Sequence, residues 1–433
     1  MPITLDEKST KALKSLEDRN EHIFLTGNAG TGKSTLLDHF RHKTTKKIAV
    51  VAPTGVAAVN VRGETIHSFF GFPPNITPDH ATLGAKRTRK SKLYQTLEIL
   101  IIDEISMVRA DLLDCIDAFL RAVRHKNLPF GGVKIIMVGD LHQLPPVVTG
   151  SEQQAINELY TSPYFFSSKV FRQLFEGLYP QFCFLELETI YRQSDKKFIE
   201  ILNRIRNKQT TEEDLEKLNK QLISEGDNID DYILLTAIND QADKINQARL
   251  EEIEGPHYSY HATVTGDFST KQSPASDLVL LKTGAKVMLV NNDPDGRWIN
   301  GTIGTLFRAH SDCVFVKLEN GEVERVEPVT WTSFRTTYNS KTETLESQET
   351  GSFKQMPLRL AWAITIHKSQ GKTFDRVAID LGRGAFAHGQ TYVALSRCTS
   401  LSGIKLIRPI NESSIIMDDR VVEFLAKVRQ LAE

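Results

Sequence analysis

From Gly27 the chain reads Gly27-Asn28-Ala29-Gly30-Thr31-Gly32-Lys33-Ser34-Thr35, a glycine-rich loop that ends in a lysine and two hydroxyls. Amides freed by such glycines can curl around the β- and γ-phosphates of a nucleoside triphosphate, with the Lys33 charge on the same oxygens. The Ser34 hydroxyl is spaced to ligate Mg²⁺, and a helix expected over residues 36–41 would turn its positive end toward the anion. The apolar run at residues 22–26 reads as the buried strand that delivers the loop.

A second apolar run, residues 98–102, ends in Asp103 and Glu104, where a parallel strand hands side chains to a nucleotide crevice. Asp103 is expected to hold Mg²⁺ through water. Glu104 is expected to act as the general base on the attacking water, a task worth about 10² to 10⁴ in rate. An acidic helix cap is the plainer reading of the same pair. A third run, residues 134–138, leads into Gly139, Asp140 and Gln143, and Gln143 is a candidate γ-phosphate sensor.

Positioning these groups takes more than one domain, and 433 residues allow two nucleotide folds and an insertion. A net charge of −1 leaves any nucleic-acid site to a local groove. The densest basic run, Lys86 to Lys92, reads equally well as a solvated loop. Cys115, Cys183, Cys313 and Cys398 are scattered without a CxxC pair, which argues against a zinc site or a disulfide framework. No apolar run approaches the ~18 residues a membrane helix needs, and the amino terminus lacks a signal-peptide pattern. A soluble intracellular protein is expected.

Strands and helices alternate through residues 1–180, a doubly wound α/β pattern, interrupted over about 63–93 by a stretch that looks too broken for core structure. Phe182 opens what reads as a second α/β unit, residues 181–254 and 352–433. Short β-prone runs over 255–351, with a hairpin signal at Asn320-Gly321, read as a small antiparallel barrel inserted in it. A closing helix over 418–431 carries an apolar stripe at Val421, Val422, Phe424, Leu425 and Val428.

Taken in order, the loop at 27–35, segments 52–58 and 63–69, the acid pair in 102–107, and segments 139–147, 191–193, 365–371 and 392–397 resemble the motifs of superfamily 1 helicases. Residues 112–132 resemble the signature of the Pif family of DNA helicases, with RecD-like helicases as close kin. The resemblance implies two RecA-like P-loop NTPase domains, an SH3-like barrel insert in the second, and ATP with Mg²⁺ held between them. It adds Gly371 to the nucleotide site, and Arg192 and Arg397 as cations that reach the γ-phosphate from the second domain. It also implies a single-strand DNA channel lined by Thr54, Gly55, Thr65, His67, Phe69, Thr365, His367, Lys368 and Ser369. The implied activity is 5′-to-3′ translocation and unwinding of duplexes, forks, R-loops and G-quadruplexes by a monomer, cytoplasmic and nucleoid-associated in bacteria or encoded by a phage. A RecD-like subunit of a recombination complex and a DNA-independent nucleotide switch are the rival expectations. One departure stands out: the family's adenine-reading glutamine falls where this chain has Ser9 or Thr10.

Overall fold

A computed structural model describes residues 6–430 except 74, 149, 176–181, 194, 269–272, 340–343 and 383. Its first sheet has six parallel strands: β1 (His22–Gly27), β2 (Ile48–Ala52), β3 (Glu64–Thr65), β4 (Ile99–Ile102), β5 (Lys134–Val138) and β6 (Phe182–Leu187), in the order β3-β2-β4-β5-β1-β6. Helices cover both faces, so β4 and β5 are buried along their whole length, which is why they read as unbroken apolar runs. The α/β class expected from the sequence is the one observed.

The first boundary falls later than expected. β6 pairs in parallel with β1 from His22↔Phe182 to Gly27↔Leu187, so Phe182 closes the first sheet and does not open a second unit. Sequence pattern marks a strand but not the neighbour it joins. The stretch at 63–93 is also not an irregular lobe. It holds β3 and the helices Ile66–Phe70, Pro78–Arg87 and Ser91–Thr96. Pro78 occupies the first turn of its helix, where a missing N–H costs nothing, and Gly84 is accepted in that helix's interior. Phe69, Phe70, Phe72, Leu93 and Tyr94 sink into the main core of the first domain.

The closing helix, Asp419–Gln430, crosses back as well. Val421, Phe424, Leu425 and Val428 lie in the first core, with Phe424 stacked on Phe166 at 4.3 Å. Residues up to 433 therefore do not all belong to the second domain. The second sheet is smaller, with strands Ala363–Thr365, Ile233–Thr236, Val377–Asp380 and Ile404–Leu406 in that order and all parallel.

The inserted segment forms a five-stranded antiparallel sheet ordered Val323–Val326, Val314–Leu318, Ile303–Ala309, Lys286–Leu289, Leu358–Leu360. Its last strand lies beyond the expected limit at 351. A long hairpin, Val329–Asn339 against Thr344–Gln355, stands beside it as an arm. The arm reaches the first domain: Thr336 N–H donates to Glu64 Oε1 at 2.5 Å, and Lys92 lies over the Tyr338 ring at 5.7 Å. Among the described residues no helix is long and apolar enough to cross a membrane.

Candidate nucleotide site and DNA channel

β1 ends at Gly27, and the loop turns through Gly30 and Gly32 in the left-handed region (φ +84° and +79°) into the helix Lys33–Lys43, longer at both ends than residues 36–41. Gly30 has a second constraint, since a Cβ there would sit 2.5 Å from the Cβ of Arg192. Lys33 Nζ donates to the carbonyls of Gly27 (2.9 Å) and Asn28 (3.0 Å), inside the loop. Burial pulls its ammonium down, against the pull of Asp140 and Glu104. The Thr31 hydroxyl donates to the Asn28 carbonyl, and Ser34 and Thr35 stand exposed on the first helical turn.

Asp103 and Glu104 leave the end of β4 side by side. Burial raises both carboxyls, and Asp103 helps to push Glu104 up to about 7. Glu104 also takes a left-handed backbone (φ +49°, ψ +45°), a strained conformation for a side chain with a Cβ and one that clusters at working sites. Gln143 follows β5, and its amide donates to Asp140 Oδ2 at 3.2 Å. Burial alone would raise Asp140, yet Arg206 and Lys33 hold it at about 2.

The second side of the cleft arrives on turns and helix ends. Arg192 reaches the Gly371 carbonyl at 3.5 Å through Nη2, while its buried Nη1 has no hydrogen-bond partner among the described residues. Arg397 is 1% exposed and donates to the Val393 carbonyl, the Lys372 carbonyl and Ser396 Oγ, all neutral acceptors. Burial, then the Arg192 charge beside it, pulls Arg397 down to about 9. Among the expected nucleotide residues, Gly30, Lys33, Asp103, Glu104, Gln143, Arg192, Gly371 and Arg397 are thus linked by contacts or charges across one cleft.

Several groups there escaped the sequence reading. Gln370 Nε2 donates to Glu104 Oε2 at 3.3 Å and to Gln143 Oε1 at 3.2 Å, joining the two sides. Asn203 accepts from Asn28, Tyr392 OH accepts from Ala29 N–H, and Arg206 pairs with Asp140 at 3.3 Å. Gln370 and Tyr392 sit inside segments already marked as motifs, so their neighbours were the available signal. Asn203 and Arg206 lie on an ordinary amphipathic helix, Lys196–Arg206, and carried none. Ser9, at the family's glutamine position, is buried with its N–H on Asp6 Oδ1, while Asp6 Oδ2 accepts from Thr189.

The expected DNA residues divide. Thr54, Thr65 and Thr365 each cap a short helix, accepting from Ala57, Ser68 and Lys368 N–H groups at 3.2–3.3 Å. All three helices start at the carboxyl ends of parallel strands, as the phosphate loop does. Gly55, His67 and His367 are partly exposed on these helices, and Lys368 is exposed. Burial lowers both histidines, which favours their neutral forms. Phe69 is not available to stack on bases: it is 1% exposed and meets Phe70 and Tyr94 edge-on. Ser369 is fully buried with its hydroxyl on the Ile366 carbonyl, so it is not a channel group in this conformation.

A sequence profile of PIF1-like helicases matches residues 6–216. The ATP-dependent DNA helicase Pif1 of Bdellovibrio bacteriovorus is 34% identical across 98% of this chain and 92% of its own length. The chain belongs to the PIF1-like helicase family. The human ATP-dependent DNA helicase PIF1 is 35% identical, with 98% of this chain matched, and the chain spans 64% of that relative's length. Among solved structures, Pif1 from Bacteroides sp is 36% identical. Its complex with ADP-AlF4 superposes with a TM-score of 0.90, covering 99% of this chain and 98% of that one. The unliganded form gives 0.89, covering 99% and 97%, and the form bound to single-stranded DNA gives 0.69, covering 99% and 98%. The match extends over both sheets and supports RecA-like folding of each.

Proposed function

We propose that this chain is an ATP-dependent DNA helicase that hydrolyses ATP between its two sheets and moves 5′ to 3′ on single-stranded DNA. Duplexes, forks, G-quadruplexes and R-loops are its substrates in this reading, and it works as a monomer. The observation that carries the reading is the convergence of Lys33, Glu104 and Gln143 from the strand ends of the first sheet with Arg192 and Arg397 from the turns and helix ends that face them. A site split in this way closes when a triphosphate draws the cations together, so hydrolysis can drive one domain against the other.

Lys33 and the loop amides would hold the β- and γ-phosphates. Glu104 would orient the attacking water and take its proton, and the arginine pair would neutralise charge gathering on the transferred phosphoryl group. Asp103 and Ser34 offer the hard oxygen donors that Mg²⁺ takes, and the low exposure of Asp103 (8%) suits a carboxylate paired with a cation. Mg²⁺ bound there would supply further charge neutralisation. Thr54, Gly55, Thr65, His67, Thr365, His367 and Lys368 would grip phosphates without reading bases.

Strand displacement with ATP and Mg²⁺ on 5′-tailed, 3′-tailed, forked and quadruplex DNA tests the reading. The 5′-tailed and forked substrates should open and the 3′-tailed one should not. Hydrolysis indifferent to single-stranded DNA would point instead to a nucleotide switch.

A further inference from the structure

Gln370 ends the four-residue helix Ile366–Ser369, whose cap is Thr365 and whose exposed cation is Lys368. That helix is the part of the second domain placed on the DNA channel above. Gln370, the residue that caps its end, points its amide across the cleft. The Gln370 amide spends its two hydrogens on Glu104 and Gln143, the general base and the phosphate sensor of the opposite domain.

Local hydrogen bonds tie Gln370 to the helix. Its own N–H donates to the His367 carbonyl at 3.2 Å, the Ser369 hydroxyl holds the Ile366 carbonyl at 2.7 Å, and Thr365 Oγ1 holds the Lys368 N–H at 3.3 Å. A displacement of the helix therefore carries the amide with it. At the far end, the bond to Glu104 Oε2 withdraws charge from the carboxylate and fixes its rotamer, and both effects weaken a base that must turn toward water. Over the whole chain, the Bacteroides structures with ADP-AlF4 and without ligand superpose with TM-scores of 0.90 and 0.89, and the one bound to single-stranded DNA with 0.69.

We propose that Gln370 is a positioning residue that couples DNA binding to hydrolysis. It holds Glu104 and Gln143 while the channel helix keeps this arrangement, and it releases them when a bound strand shifts that helix. The proposal rests on the helicase reading and adds to it the residue that makes hydrolysis wait for DNA.

Gln370→Met keeps the side-chain length and removes the donor. ATP turnover should be measured without DNA and with saturating oligothymidylate, alongside the affinity for the oligonucleotide. Without DNA, turnover should rise about threefold to tenfold, the scale of one ordinary net hydrogen bond. With DNA, turnover and affinity should stay within about twofold, so the stimulation ratio falls. Gln370→Ala, smaller and without any donor, should behave alike and guards against a packing effect of the methionine. Equal loss with and without DNA, or an unchanged ratio, would overturn the coupling role. A wild-type chain that DNA fails to stimulate would overturn the helicase reading itself.

Discussion

The two sides of the nucleotide cleft are built on different principles. On the first side Lys33, Asp103, Glu104 and Gln143 hang from the ends of central strands of a six-stranded sheet with cores on both faces. Folding that sheet fixes them within the cleft. On the second side Arg192, Gln370, Gly371 and Arg397 come from turns and short helices, and the two guanidiniums donate their hydrogen bonds among the described residues to neutral acceptors, with Glu104 and Asp140 acting on Arg397 from a greater distance. Buried cations without a directly bonded carboxylate are costly, so an entering anion would complete a balance that Glu104 and Asp140 provide only in part. In the proposed function, one half of the cleft decides where a triphosphate sits and the other half registers that it has arrived.

That contrast predicts its largest effects on the second side. Arg397→Ala and Arg192→Ala should each lower turnover by about 10³ or more while ATP affinity changes by less than about tenfold, because these charges act on the transition state. Single-turnover hydrolysis with a separate nucleotide titration separates the two quantities. The double substitution should cost much less than the product of the singles if both arginines serve one closed state. Independent losses would mean that the pair is not a unit and that the comparison has been drawn too sharply.

A smaller effect belongs to the first side. Glu104→Gln should reduce turnover by about 10² to 10⁴ and leave ATP bound, since the backbone of the loop and the strand end stay in place. Measured by the same assays, a collapse of ATP binding in this variant would show that Glu104 holds the nucleotide and is not simply its base.

The same contrast explains what the sequence could disclose. The phosphate loop, the acid pair and Gln143 were legible because each follows an unbroken apolar strand, and strand-then-turn is a local pattern. Gln370, Asn203 and Arg206 were not, because their partners lie far away in the chain: Arg206 finds Asp140, and Gln370 finds Glu104. The fate of β6 was hidden for a similar reason, since only β1 says which sheet it joins. Phe69 entered the channel set through the family resemblance alone, and nothing local in its segment marks it as core. Its burial depends on Tyr94 and Phe119, which reach the same cluster from helices outside that segment.

The finest distinction lies between neighbours on the channel helix. Lys368 is exposed and carries the one full charge there, whereas Ser369 is buried and bonded to its own helix. If the helix grips DNA by its outer face, Lys368→Ala should weaken single-strand binding and reduce the log–log salt slope by up to about one unit, as for one neutralised phosphate. Ser369→Ala should leave that slope unchanged and instead lower stability by about 1 kcal/mol, the net worth of one hydrogen bond. Fluorescence anisotropy at several salt concentrations, paired with thermal melting of each variant, reads both quantities. A salt slope that moves with Ser369 and not with Lys368 would mean that the helix turns over on DNA and presents the face that is buried here.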